Sequence, residues 1–438
     1  MKIKFKMLAT CACTALCALS FTACGKGTEG KSTLLGKPET TTPVSYEQFN
    51  SENYLNFKAA AENFAATFAE YTYADYDKAD NFAVSPVSVY MALSLAAECA
   101  AGETRNEILN ALGVSYDELK ENISLLYRSL AIGHGVNSEI ISELMLTNSI
   151  WVDEGTPFKQ NCIDSLSEYY NCYSYAADFA NGNAAANQAV RDFVKERTSG
   201  FIDKDFQLSK ETLFALINTL YLKAVWNTEG KVLHFTDESY DFKNYDGTTT
   251  ATKLLQGNYI SGRAYEEETF SAFYTTTYGG GYKLKFILPN DGYSVDDVFT
   301  AENLQKVNSL VYQSVDDENA IIYETRCLFP EYDCSYDEDV KGILSKYYGV
   351  EHLFASGCDF SSLTYEDSFC DKVQHVTKLT VDEMGIEGAA VTIIGGVGSA
   401  EPPAYQFFYN DFVLSGAFGF IITDRNDTTL FSGVVKSV

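Results

Sequence analysis

The sequence is poor in base. Against 60 acidic residues stand 32 lysines and arginines, a formal net charge of −28, with only four histidines. No basic patch interleaved with aromatics occurs, and so acidic a surface repels nucleic acid and anionic membrane. No CxxC pair is present, which argues against a zinc ribbon or redox motif. GxSxG, HExxH and the Walker phosphate loop are missing too, so the common hydrolase, metalloprotease and nucleotide signatures are excluded. No metal or cofactor is expected. A distant carboxylate pair of glycosidase type leaves no local signature and stays open on sequence alone. There is no internal repeat, and no low-complexity linker beyond residue 50.

The 438 residues suffice for a sizeable core. The N-terminus reads as an export signal: Lys2, Lys4 and Lys6 precede an apolar stretch from Leu8 to Phe21 that is short for a membrane span. It ends in "FTAC", similar to a bacterial lipobox, with Cys24 as the residue to be acylated. Phe21 stands where Leu is usual, and a plain secretory signal is the alternative. Residues 1–23 are therefore expected to be a signal peptide and 24–50 a flexible tether, rich in Gly, Thr and Ser. Such a tether reaches roughly 25 Å. Localisation is expected to be extracellular or at the cell surface, with the membrane met only through the lipid. Beyond the signal lie Cys99, Cys162, Cys172, Cys327, Cys334, Cys358 and Cys370. The odd number leaves at least one thiol unpaired; buried thiols are favoured over a disulfide framework.

Residues 51–438 read as one α+β domain with large, mostly antiparallel sheets, helices early and strands late. "NFKAAAENFAATFAEY" places Phe57, Ala61, Phe64, Phe68 and Tyr71 on one helical stripe. "SPVSVYMALSLAAECA" predicts a helix capped by Ser85 with Pro86 in its first turn. Thr104 and Glu107 suggest a capping box and Gly113 a stop. "TLFALINTLYLKAVW" reads as a strand buried on both faces. "YKLKFILPNDG" reads as a strand and turn, and "AFGFIITDRNDTTLFSGVV" as two strands around a polar turn.

One segment fits neither strand nor ordinary loop. "GIEGAAVTIIGGVGSAEPPAY" is rich in glycine and alanine, with Glu387 and Glu401 its only charges. A dinucleotide loop would need a helix at once after "GGVG", and Pro402 and Pro403 forbid it. Of its two alternating faces, one (Ile386, Gly388, Ala390, Thr392, Ile394, Gly396) carries no charge and no proline. The segment can thus stay extended as a loop or enter a sheet as a central strand.

Taken in order, "NFAVSPVSVYMALSLAAECAAGETRNEI", "INTLYLKAVW", "FILPNDG", "LFPEYDCSYDEDVKGILSKYYGVEHLF", "QHVTKLTVDEMGIEGAA" and "LFSGVV" resemble the serpin family over roughly residues 55–438. The resemblance implies helices on large sheets, an exposed reactive loop at about 385–404, and no enzyme activity. It implies a monomeric suicide inhibitor of serine or cysteine proteases. The target cleaves the loop, forms a covalent acyl complex, and is carried away as the loop inserts. A strand of about fifteen residues spans roughly 50 Å.

Carried over by position, Glu383 opens the hinge, Gly385 is its flexible point, and Ile386, Glu387, Gly388, Ala389 and Ala390 follow. The scissile bond falls at Ser399-Ala400. Trp226 matches the breach tryptophan; His375, Asn218, Ser85 and Ser88 match the shutter. Ile386 stands where Thr or Ser is common, and its bulk is expected to slow entry; Gly388 stands where Ala is common and weakens a strand. Small residues at the bond suit an elastase-like or subtilisin-like pocket. A non-inhibitory surface binding protein of the same fold, cut as a substrate, is the alternative.

Overall fold

The computed structural model describes residues 32–38, 44–130, 134–136, 139–226, 232–316, 321–367, 370, 373–386 and 406–438. The signal peptide, Cys24 and loop residues 387–405, among them Glu387, Gly388, Ala389, Ala390, Ser399 and Ala400, lie outside that set.

Three early helices position the site. Helix α1 (Glu52–Ala74) starts where the Ser51 side chain accepts the Tyr54 N–H, and buries Phe57, Ala61, Phe64 and Phe68 as the spacing requires. Tyr71, on the same stripe, is half-buried and stacks on Tyr347 at 4.4 Å. Helix α2 (Pro86–Cys99) is buried along almost its whole length and has Pro86 in its first turn. Ser85 occupies the N-cap position but makes no side-chain cap bond. Helix α3 (Gly102–Leu112) ends at Gly113, left-handed at φ 72°. The expected capping box does not form. The helix begins two residues before Thr104, which instead accepts the Asp359 N–H, while Glu107 accepts the Glu351 and His352 N–H groups.

The strands that frame the site are, in chain order, β1 (Thr33–Gly36), β2 (Glu139–Asp153), β3 (Cys172–Ala177), β4 (Phe214–Val225), β5 (Tyr332–Asp339), β6 (Gln374–Val381) and β7 (Gly385–Ile386). They form the central sheet in the order β1-β3-β2-β4-β7-β6-β5. β2 and β4 share a long antiparallel ladder with Asn148 opposite Asn218, and β5 and β6 pair antiparallel along their length. Among the described residues no ladder joins β4 directly to β6; the two-residue β7 alone lies between them.

β1 corrects the expected tether. Residues 33–36 are not free chain but an added antiparallel strand on β3. An exposed strand edge offers unpaired backbone groups to any extended segment. Leu35 gives this one an apolar side chain packed on the core, and Gly36 fits closely against Ser167 and Ile163.

A second sheet carries the late strands read from the sequence. Tyr282–Pro289 pairs with Phe418–Asp424, which pairs with Thr429–Val435. Both C-terminal strands are buried at every position. The glycine of "LFSGVV" is required there, since a Cβ on Gly433 would lie 2.2 Å from the Phe82 carbonyl oxygen. None of the seven cysteines named above forms a disulfide; six are buried and Cys370 is half-buried. Among the described residues no helix is long and apolar enough to cross a membrane, and no cluster of metal-ligating side chains occurs.

Candidate functional site

The chain leaves β6 at Val381, turns through Asp382, Glu383 and Met384, and re-enters the sheet as β7. The turn closes on itself: the Asp382 N–H donates to the Gly385 carbonyl at 3.1 Å. The Asp382 carboxylate in turn accepts the N–H groups of Met384 at 2.8 Å and Gly385 at 3.0 Å. Trp226, directly after β4, straps this turn from the other side. It is buried, its indole N–H donates to the Asp382 carbonyl at 2.7 Å, and its backbone N–H donates to the Met384 carbonyl at 3.3 Å. Its ring packs on Phe329 at 5.7 Å. The Leu233 N–H completes the turn by donating to the Glu383 carbonyl at 2.8 Å.

β7 is antiparallel to both neighbours. Gly385 faces Val225, and Ile386 faces Ala224 on one side and Val381 on the other. Glycine is needed for closeness rather than for a left-handed backbone: a Cβ on Gly385 would come 2.1 Å from the Ala224 carbonyl oxygen. Ile386 is fully buried, so its branched side chain, expected to be bulky for entry, is accommodated in the sheet. Glu383 lies on the outer side of the turn, where its backbone N–H donates to Glu331 Oε1 at 3.2 Å.

Further down the sheet, Ser85, Ser88, Asn218 and His375 come together beneath β4 and β6. His375 projects from β6, buried against the rings of Phe68 and Tyr336. Its Nε2 accepts the Ser85 backbone N–H at 3.0 Å and lies 3.0 Å from the Thr377 hydroxyl. Because Nε2 is an acceptor, the ring carries its proton on Nδ1. Burial pushes the imidazole down to about 4, so it is neutral at pH 7. On the β4 side the Ser88 hydroxyl donates to Asn218 Oδ1. The Asn218 amide donates to Asn148 Oδ1 at 2.6 Å, and the Asn148 amide to the Tyr170 carbonyl at 2.7 Å. The N-terminus of α2 thus contacts both strands, through Ser85 to β6 and through Ser88 to β4. Among the described residues the Ser85 hydroxyl itself has no hydrogen-bond partner.

Sequence reasoning missed Asn148, Thr377, Asp382 and Glu331. Asn148 and Thr377 are polar residues in strands, and only strand register brings them to Asn218 and His375. Glu331 follows Pro330 in the β5 approach and is one acid among many. Nothing in the sequence marks it as the partner of Glu383.

Comparison with known proteins agrees with this architecture. The family model described as Serpin (serine protease inhibitor) matches residues 59–438. Alpha-1-antiproteinase of Ovis aries is 26% identical over 392 residues, covering 86% of this chain and 89% of the relative. Corticosteroid-binding globulin of the same species is 27% identical over 357 residues, 77% and 78% of the two chains. Among solved structures, the thermophilic serpin tengpin in its native state superposes with a TM-score of 0.68 at 22% identity, over 93% of this chain and 100% of the other.

Proposed function

The chain belongs to the serpin family, and from that premise we propose that it is an irreversible inhibitor of serine endopeptidases that traps its target by loop cleavage and strand insertion. Relatives in the family include both an antiproteinase and a binding globulin, so membership alone does not decide between inhibition and binding. The observation that favours inhibition is the seating of β7: Gly385 and Ile386 already occupy the position between β4 and β6, with no other strand between those two among the described residues. The segment that follows has an uncharged alternating face, so each further residue could extend the same ladder.

In this reading the target's nucleophile attacks the Ser399 carbonyl. The Ser399-Ala400 peptide bond breaks, the Ala400 amine leaves, and the Ser399 acyl group stays on the protease. Insertion behind Ile386 then carries the enzyme along the sheet before water can release it. Small residues at the bond point to an elastase-like or subtilisin-like pocket, and cysteine endopeptidases of similar preference form a second class of target. The shutter residues Ser85, Ser88, Asn218 and His375 would govern strand separation, and Glu383, Gly385 and Ile386 would begin the insertion. We place the protein outside the cell or at its surface, attached through Cys24.

The test is to mix residues 25–438 with elastase-like, subtilisin-like, chymotrypsin-like and trypsin-like proteases and run denaturing gels. The expected result is a denaturant-resistant complex with one of the first two and a released fragment running from Ala400 to Val438. Cleavage without complex would put the substrate-type binding protein in front. One-to-one trapping of trypsin would overturn the assigned specificity.

A further inference from the structure

A separate small sheet carries an aromatic patch that strand insertion does not use. The strand Gln406–Val413 begins directly after loop residues 387–405 and runs parallel to Ile321–Phe329. Its other edge pairs with no strand among the described residues. A surface strand ordinarily buries every second side chain. Here the first four residues are all exposed, so both faces of the strand meet solvent. They include Phe407, Phe408 and Tyr409, at 52%, 52% and 60% exposure.

The rings are held in place although they are exposed. Phe407 and Tyr409 stack with centroids 6.2 Å apart, and Tyr259 meets Tyr409 edge-on at 5.1 Å. On the alternate face Phe408 contacts Tyr323 at 5.8 Å. Arg326 lies 5.1 Å over the Tyr259 ring, and its Nε and Nη2 each donate to the Asp411 carboxylate at 2.9 Å. Arg263 lies 4.6 Å over the Tyr323 ring. Aromatic side chains ordered in this way have little freedom left to lose on binding.

An aromatic cluster on an open strand edge is an association site or a liability. A second copy of this chain is a poor occupant, since each copy carries a formal charge of −28 and like charges repel. The place of the patch in the chain points to a better one. Phe407 stands eight residues after Ser399 (407 − 399 = 8), so roughly 28 Å of chain at most separates it from the bond proposed for cleavage. An enzyme of a few hundred residues is about 45 Å across. Seated on that bond, it overhangs the chain by a distance comparable with that limit. We propose that Phe407, Phe408 and Tyr409 form an accessory docking surface for the target endopeptidase, on the side of the bond that leaves as the amine. Gly398 and Ser399 give an enzyme's pocket little to grip, so contacts outside the pocket must distinguish one enzyme from another. Aromatic side chains supply such contacts most effectively.

The experiment measures equilibrium binding of the intact protein to an elastase-like and a subtilisin-like protease, each with its nucleophilic serine replaced by alanine so that no bond is cut. Wild type is compared with the double variant Phe407→Ser, Tyr409→Ser, and with Tyr409→Ser alone. The single change removes the most exposed of the three rings and serves if the double variant folds poorly. The expected result is a Kd for one of the two enzymes that rises about tenfold in the variants. The thermal midpoint of Tyr409→Ser should stay at the wild-type value. Equal affinity for wild type and Tyr409→Ser, or no measurable binding of wild type to either enzyme, would overturn the proposal. So would a wild-type dimer in sedimentation that Tyr409→Ser dissolves, because the patch would then belong to a second copy.

The choice of partner rests on the inhibitory reading, and the two fail separately. A loop that active enzyme cuts without a denaturant-resistant complex, together with the affinity difference, sinks trapping and leaves the docking surface standing. A denaturant-resistant complex, together with equal affinities for wild type and variants, sinks the docking surface alone.

Discussion

At Gly385 a single added carbon would lie 2.1 Å from the Ala224 carbonyl oxygen, far inside any tolerable contact. Gly385→Ala should therefore expel β7 or push β4 aside, at a cost of about 1–3 kcal/mol for overpacking. The expected outcome is a lower midpoint in urea together with a shifted Trp226 emission. An alanine variant as stable as the wild type would mean that the two-residue strand adds nothing. His375 makes a prediction of the opposite chemical kind. Its folded value is lowered to about 4 from an ordinary 6.5, so its contribution is present above 6.5 and is lost as pH falls through 4. Linkage puts the loss on the order of 3 kcal/mol. Urea melts at pH 7, 6 and 5 should show the wild type losing stability faster than His375→Gln, which has no proton to gain.

Among elements, the two sides of the central sheet are unequal. β2 and β4 are stitched by a full ladder and by the Asn148–Asn218 pair, whereas β4 and β6 communicate through β7 and the N-terminus of α2. Asn218→Ala removes the acceptor for Ser88 and the donor to Asn148 in one step. Buried groups left without partners cost about 1–3 kcal/mol. The variant should lose that much and should exchange amide hydrogens faster along β4 than along β5. At the far edge, deleting residues 1–37 should expose β3, and exchange protection at Tyr173 to Ala176 should fall while β5 and β6 keep theirs. Equal protection with and without the segment would show that β1 is not held in solution.

Part of this arrangement was legible in the sequence. The stripe on α1, Pro86 at the start of α2, Gly113 and the two C-terminal strands follow from local periodicity and turn chemistry, and the structure has them. The hinge turn was legible only through a resemblance spread over many motifs. The Asn148–Asn218 register, the return of β1 to β3 and the Glu331–Glu383 contact were not legible. Each joins residues more than fifty positions apart, and local propensity says nothing about which distant edge a strand will meet. The Thr104–Glu107 box failed for a related reason: its side chains are claimed by Asp359 and by residues 351–352, tertiary partners that outcompete a local cap.

For the whole molecule, a net charge of −28 sets the approach of any partner. A cationic protease should associate faster at low salt and slow several-fold between 50 and 300 mM, as the Debye length shrinks from roughly 14 Å to 6 Å. Stopped-flow rates against ionic strength check this; a salt-independent rate would confine recognition to the loop. If insertion follows cleavage, the cut protein should also unfold at a higher temperature than the intact one, measured by calorimetry, because the central sheet then gains a full strand.

The cysteines lend the molecule a clock. Six of the seven beyond residue 50 are buried and Cys370 is half-covered, with none tied in a disulfide. An alkylating reagent in solution should therefore reach Cys370 early and the others only when the structure around them opens. Cys334 lies on β5, whereas Cys172 on β3 and Cys99 at the end of α2 lie near one another around Cys162, so the thiols sample two parts of the fold. The order in which mass is added to the intact chain would record which part opens first, and how long the molecule waits before it does.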